Sequence, residues 1–125
     1  MKPRILIVED NEQNMYMLSF LLTNNNYKVF QAFNGTEGLQ LAEDKNPEII
    51  LMDIQLPDMD GYHVCKKIRA NKHHQNSIII AVTSYAMGGD RERAIRSGAN
   101  GYIEKPINPE TFIQQMETIY NEQRP

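Results

Sequence analysis

Residues 49–68 read IILMDIQLPDMDGYHVCKKI. Four apolar residues, Ile49–Met52, run into Asp53 and a polar stretch. Gly61, Val64, Cys65 and Ile68 then fall at the i, i+3, i+4, i+7 spacing of one helix face. A continuous apolar run is what a strand needs when both of its faces are covered. The stretch is therefore one strand–loop–helix unit with an acidic residue where the strand gives out.

Working outward, the unit recurs. Ile5–Val8, Lys28–Phe30, Ile78–Val82 and Tyr102–Ile103 read as the other strands. Met15, Leu18 and Leu22 share a face of a first helix, and Asn34 with Glu37 three residues later marks a capping box for a second. A fourth helix is expected near Gly89–Ser97, anchored by Ala94 and Ile95. A fifth carries Phe112, Ile113, Met116, Ile119 and Tyr120, with Asn108 as its cap and Pro109 at its first position. Five strand-then-helix units predict an α/β fold with a parallel sheet and helices on both faces. Right-handed crossovers favour the doubly wound (βα)5 order 2-1-3-4-5.

At 125 residues the chain can bury one core, and it is read as one domain over 1–125, with its core at about 4–121 and no output domain. Starting at Met1 and ending in the polar stretch Asn121–Pro125, it is expected to be a complete chain. No apolar run is long enough to span a bilayer, and Ile5–Val8 is too short for a signal-peptide core, so a cytoplasmic location without membrane insertion is expected. The single cysteine, Cys65, rules out an internal disulfide and a zinc site of several thiolates. A net charge of −3 without a clustered basic face gives no footprint for direct nucleic-acid binding.

In a sheet of this order, ligands bind beyond the carboxyl ends of the strands, near the switch point between strands 1 and 3. Strand 1 ends in Glu9-Asp10, strand 3 in Asp53, strand 4 in Thr83 and strand 5 in Lys105-Pro106. Taken singly, Asp10 or Asp53 is more simply a turn former, Thr83 a β-former and Lys105 a solvated charge. Their co-location on one rim is what carries weight. Clustered carboxylates repel unless a cation neutralises them, and Mg²⁺, which shares its coordination with phosphate oxygens, suits such a set. A metal, an ammonium and a hydroxyl together are parts for phosphoryl transfer, with one carboxylate as the nucleophile.

The segments Ile5–Asn11 (ILIVEDN), Leu51–Gly61 (LMDIQLPDMDG), Ala81–Ser84 (AVTS) and Gly98–Pro106 (GANGYIEKP) resemble the receiver (CheY-like) domains of two-component response regulators, over essentially the whole chain. The resemblance implies the flavodoxin/CheY-like fold and a domain that is not an enzyme beyond its own phosphorylation and dephosphorylation. It implies Asp53 as phosphoacceptor, with the phosphoryl group coming from a histidine kinase or histidine phosphotransfer protein. It assigns Mg²⁺ (Mn²⁺ as the alternative) to Glu9, Asp10, Asp53 and the backbone carbonyl of Gln55. Lys105 becomes the phosphoryl-contacting ammonium, Thr83 and Tyr102 the switch pair, and Lys105–Pro106 a cis peptide. Thr83 would move toward the phosphate and Tyr102 into the vacated space, reshaping the surface of the fourth helix, fifth strand and fifth helix, where a downstream protein target would dock. The chain is expected to be a monomer or weak dimer. Gln55 and Tyr85 match positions that tune the access of water. Glu9–Asn14, Met52–Pro57 and Ala81–Asp90 are similar to segments of single-domain cell-division response regulators, and Ala86–Asp90 also resembles hybrid-kinase receivers.

Two other functions fit less well. An aspartyl phosphatase of similar fold would place a second Asp where Gln55 stands. A flavodoxin-like carrier would need Ser, Thr and Gly where Glu9-Asp10-Asn11-Glu12 would repel a flavin phosphate. His73-His74 reads as exposed loop and Cys65 as a packing residue. Gly88-Gly89 is expected to shape the start of the fourth helix, and Met87 either to join the core or to face a partner.

Overall fold

The computed structural model describes residues 2–74, 76–84 and 90–123. The elements are β1 (Arg4–Val8), α1 (Glu12–Asn24), β2 (Lys28–Ala32), α2 (Gly35–Lys45), β3 (Ile49–Asp53), α3 (Gly61–Ala70), a 3₁₀ turn (Lys72–His74), β4 (Ile78–Thr83), α4 (Asp90–Arg96), β5 (Gly101–Glu104) and α5 (Phe112–Gln123). The strands form one parallel sheet in the order β2-β1-β3-β4-β5. This is the predicted doubly wound fold. β2, β3, β4 and β5 run one or two residues further at their carboxyl ends than the apolar runs alone indicate, which brings Asp53 and Thr83 into the sheet as terminal residues. Tyr85, Met87 and the Gly88-Gly89 pair lie outside the described residues.

Alternation along the strands divides the interior in two. Ile5, Ile7, Ile49, Leu51, Ile78, Ile80 and Val82 point to one face and pack with α1 and α5 through Met15, Leu18, Leu22, Phe112 and Met116. Leu6, Val8, Ile50, Met52, Ile79 and Ala81 point to the other and pack with α2, α3 and α4 through Ala42, Val64, Cys65, Ile68 and Ala94. Fully burying one such Ile or Leu side chain stabilises by roughly 1.5–3 kcal/mol. Cys65 is wholly buried, and burial above all pushes its thiol up to about 12, so it packs and does not react.

Local chemistry sets where each helix begins. Asn11 Oδ1 accepts from the Asn14 N–H at 2.9 Å and caps α1. Asn34 Oδ1 accepts from the Glu37 N–H at 2.8 Å, while Glu37 accepts from the N–H of Phe33 rather than of Asn34, so the box closes one residue early. Asp60 caps α3 by accepting from the Tyr62 N–H at 2.8 Å. Asn108 accepts from Glu110 and Phe112, and residues 109–111 form a turn before α5 proper begins at Phe112.

Two expectations are corrected. His74 is buried at 5% exposure, whereas the sequence placed it in an exposed loop. The 3₁₀ turn folds it inward, its carbonyl accepting from Arg69 at 2.9 Å and from the Ser77 hydroxyl at 2.8 Å. Ile95 does not anchor α4. It is 46% exposed, because successive helical residues diverge by about 100° and Ala94 takes the inward position.

Candidate functional site

The carboxyl ends of β1, β3, β4 and β5 bring Glu9, Asp10, Asp53, Thr83 and Lys105 to one rim. Glu9, Asp53 and Thr83 are buried, and Asp10 is exposed. Backbone bonds hold this rim in register. The Glu9 N–H donates to the Ala32 carbonyl at 3.0 Å, Ile54 to Val82 at 3.3 Å, and Lys105 to Thr83 at 2.8 Å. The Lys105–Pro106 peptide is cis.

Lys105 Nζ lies 2.9 Å from Glu9 Oε1 and 3.3 Å from Asp53 Oδ2. The other oxygen of each acid accepts from backbone two residues on. The Gln55 N–H reaches Asp53 Oδ1 at 3.0 Å, and the Asn11 N–H reaches Glu9 Oε2 at 3.1 Å. Burial, then the hydrogen bond and negative charge of Glu9, raise the Asp53 pKa to about 7 against the opposing pull of the Gln55 N–H and Lys105. Burial works against the Lys105 charge, but its bond to Glu9 and the charges of both acids outweigh it and hold its pKa above the ordinary value.

Glu9, Asp10 and Asp53 each bring an oxygen to within 4.8 Å of the others. Three carboxylates around one ammonium leave excess negative charge on a set of hard oxygen donors. That fits a hard divalent cation such as Mg²⁺.

Thr83 and Tyr102 share a sheet face. Tyr102 pairs with Ala81, two residues before Thr83 on β4, and Ala81 points to the α2–α4 side. Tyr102 is half-buried, at the edge of hollows against α4 and α5.

The loop after Asp53 makes contacts that the sequence did not indicate. Gly61 is required by close approach: a Cβ there would stand 2.5 Å from the Asp53 carbonyl oxygen and 2.6 Å from Ile54 Cα. Asp58 spans to the start of α2, accepting from Gly35 N–H at 2.7 Å, Thr36 N–H at 3.0 Å and the Thr36 hydroxyl at 2.8 Å. These bonds, that of Gly35 foremost, hold its pKa down at about 2. Ser84 donates to the Gln55 side chain at 3.1 Å, joining the loops after β3 and β4. An Asp directly before a helical pattern is a cap signal, and that is the trace by which Asp60 could have been found. Asp58 bonds across 22 or more positions and left no local trace.

The family model "Response regulator receiver domain" matches residues 5–117. The polar-differentiation response regulator DivK of Brucella anthropi is 40% identical over 118 residues, covering 94% of this chain and 96% of its own. A CheY-like response regulator receiver domain protein from Methanospirillum hungatei superposes with a TM-score of 0.89 at 31% identity, covering 98% of this chain and 97% of its own. The receiver domain of a Pseudomonas aeruginosa sensor histidine kinase, with a magnesium ion coordinated in its active site cleft, superposes with a TM-score of 0.87 at 32% identity, covering 97% of this chain and 99% of its own.

Proposed function

This chain belongs to the response regulator receiver domain family, and from that premise we propose that Asp53 accepts a phosphoryl group from the phosphohistidine of a histidine kinase or histidine phosphotransfer protein. The observation that carries the assignment is the buried Asp53 carboxylate bonded to Lys105 beside Glu9.

An Asp53 oxygen attacks phosphorus as the phosphorus–nitrogen bond breaks, and the imidazole leaves with that bond's electron pair. Asp53 must be ionised to attack, and in the bare site burial and Glu9 resist this. Glu9, Asp10, Asp53 and the Gln55 carbonyl would hold Mg²⁺ or Mn²⁺, which neutralises charge on the carboxylates and the phosphoryl oxygens. Lys105, already within hydrogen-bond reach of Asp53, exchanges carboxylate for phosphoryl oxygens. The Gln55 N–H orients the acceptor by fixing its other oxygen.

Thr83 bonds the new phosphate, and Tyr102, on the same face one step along the sheet, shifts with it. The population then moves toward a state with a different α4–β5–α5 surface. A downstream protein docks there. Output is by protein contact, without direct nucleic-acid binding, through one receiver domain with its core at about 4–121, monomeric or weakly dimeric. The chain turns over only its own phosphate. Among the described residues no helix is long and apolar enough to cross a membrane, in keeping with the cytoplasmic site where such kinases present their phosphohistidine. The likeness to polar-differentiation regulators supports a role in the control of cell polarity or division.

The test is intact mass after incubation with Mg²⁺ and acetyl phosphate. Wild type gains one phosphoryl group, while Asp53→Asn, or chelation of the metal, abolishes the gain. An unmodified wild type under both acetyl phosphate and a phosphorylated kinase would sink the assignment.

A further inference from the structure

Between α3 and α4 runs an open groove of about 510 Å³ lined by Asp60, Tyr62, His63, Lys66, Arg93 and Arg96. His63 and Lys66 stand three residues apart on α3, as do Arg93 and Arg96 on α4, so each wall repeats its basic groups at about 4.5 Å. The chain as a whole carries a net charge of −3, yet here three formal cations line a groove with one carboxylate. That carboxylate, Asp60, is bonded to Arg93 at 3.2 Å, and the Arg93 guanidinium also lies 4.2 Å over the Tyr62 ring. Lys66 and Arg96 are exposed and have no ion-pair partner among the described residues.

We propose that this groove docks a short acidic segment of a partner protein. Asp60 already does on Arg93 what an incoming carboxylate would do along the rest of the groove. The charged groups that line it, Asp60, Lys66, Arg93 and Arg96, are all exposed, which suits a segment of chain lying on the surface rather than an enclosed small ligand. Nucleic acid would extend past the groove onto a surface whose overall charge repels it. The site is separate from the proposed output surface. Arg91 and Ile95 of α4 line a different hollow with Tyr102 and Ile119, so α4 presents one flank to each. The docking is proposed for the unphosphorylated chain, so its test does not require phosphoryl transfer.

The test is fluorescence anisotropy of the full chain with a short fluorescein-labelled peptide of alternating Glu and Ser, at low and at physiological ionic strength. Binding is expected at low salt and weaker at physiological salt. Lys66→Gln with Arg96→Gln should weaken it about fivefold, the size expected of two exposed ion pairs. Lys28→Gln with Lys72→Gln, an equal change of net charge elsewhere, should stay within about twofold. Asp60→Asn keeps the helix cap and removes the competing carboxylate, so it should tighten binding about two- to fivefold, a gain that misfolding cannot produce. Equal weakening by the two double variants, no tightening by Asp60→Asn, absence of binding, or capture of inorganic tripolyphosphate without the peptide would each overturn the proposal.

Discussion

Lys105 Nζ lies 3.3 Å from Asp53 Oδ2, so the proposed acceptor carboxylate already faces the cation proposed to contact the phosphoryl group. Lys105 also holds Glu9 at 2.9 Å, and its removal leaves two buried acids facing each other. Lys105→Met should destabilise the metal-free protein by about 2–4 kcal/mol at pH 8. The loss should be smaller at pH 5, where Asp53 takes up a proton instead. Acetyl phosphate labelling should slow by about 100-fold or more. Urea melts in chelator at both pH values, with mass-resolved labelling rates, check this.

Asp53 itself should cost stability at neutral pH. Its folded pKa, about 7, lies above the ordinary 3.8. The folded state therefore binds the proton more tightly, and the resulting stabilisation is full below about pH 4 and is lost as pH rises through 7. Asp53→Asn should raise the metal-free unfolding free energy at pH 8 by about 1–4 kcal/mol, with little gain at pH 4. Mg²⁺ should stabilise wild type and do much less for the variant. A gain that did not vary with pH would contradict this account.

Asp58 should show the opposite sign. Its pKa is held down at about 2, so the stability it contributes is present above about pH 4 and disappears as pH falls through 2. Asp58→Ala should lower the urea midpoint at pH 7 and differ much less from wild type at pH 2. Hydrogen exchange at the Gly35 and Thr36 amides should speed up in the variant, since those are the groups it uncaps.

Gly61→Ala should damage the acceptor from behind. The added Cβ meets backbone of Asp53 and Ile54 rather than a side chain that could swing aside. A loss of about 1–3 kcal/mol is expected, together with slower labelling of Asp53. Unchanged stability and rate would show that the approach relaxes without moving the acceptor.

Arg69 anchors the opposite end of the sheet. Its guanidinium donates to Gly98 O at 2.8 Å, His74 O at 2.9 Å, Ser77 Oγ at 3.3 Å and the Asn100 side chain, whose oxygen also accepts from the Ile79 N–H at 2.8 Å. Arg69→Met should cost about 2–4 kcal/mol, and Arg69→Lys should rescue little, because one ammonium cannot span that fork of acceptors. Labelling of Asp53 in the folded fraction should be unchanged.

These residues also mark how far the sequence could be read. The runs Ile5–Val8, Ile49–Met52 and Ile78–Val82 are apolar throughout because their strands are covered on both faces, so sheet, order and rim followed from them. Glu9, Asp53, Thr83 and Lys105 were legible because topology alone brings strand ends together. Arg69 and Asp58 were not, since each is defined by partners distant in sequence, and a charged side chain on a helix or in a loop looks solvated until those partners are placed. His74 and Ile95 were misassigned for a related reason. Polarity and apolarity predict burial only on average, and a 3₁₀ turn or a 100° step around a helix reverses the assignment for a single residue.

The alternation along β1, β3 and β4 sends successive side chains into two interiors that have only the strand backbones in common. Substitutions inside the α1–α5 layer and inside the α2–α4 layer should therefore accumulate almost independently. A lineage can then remodel the packing of one layer while the rim and the other layer keep their tuning. Divergence in partner choice need not pass through loss of the acceptor chemistry.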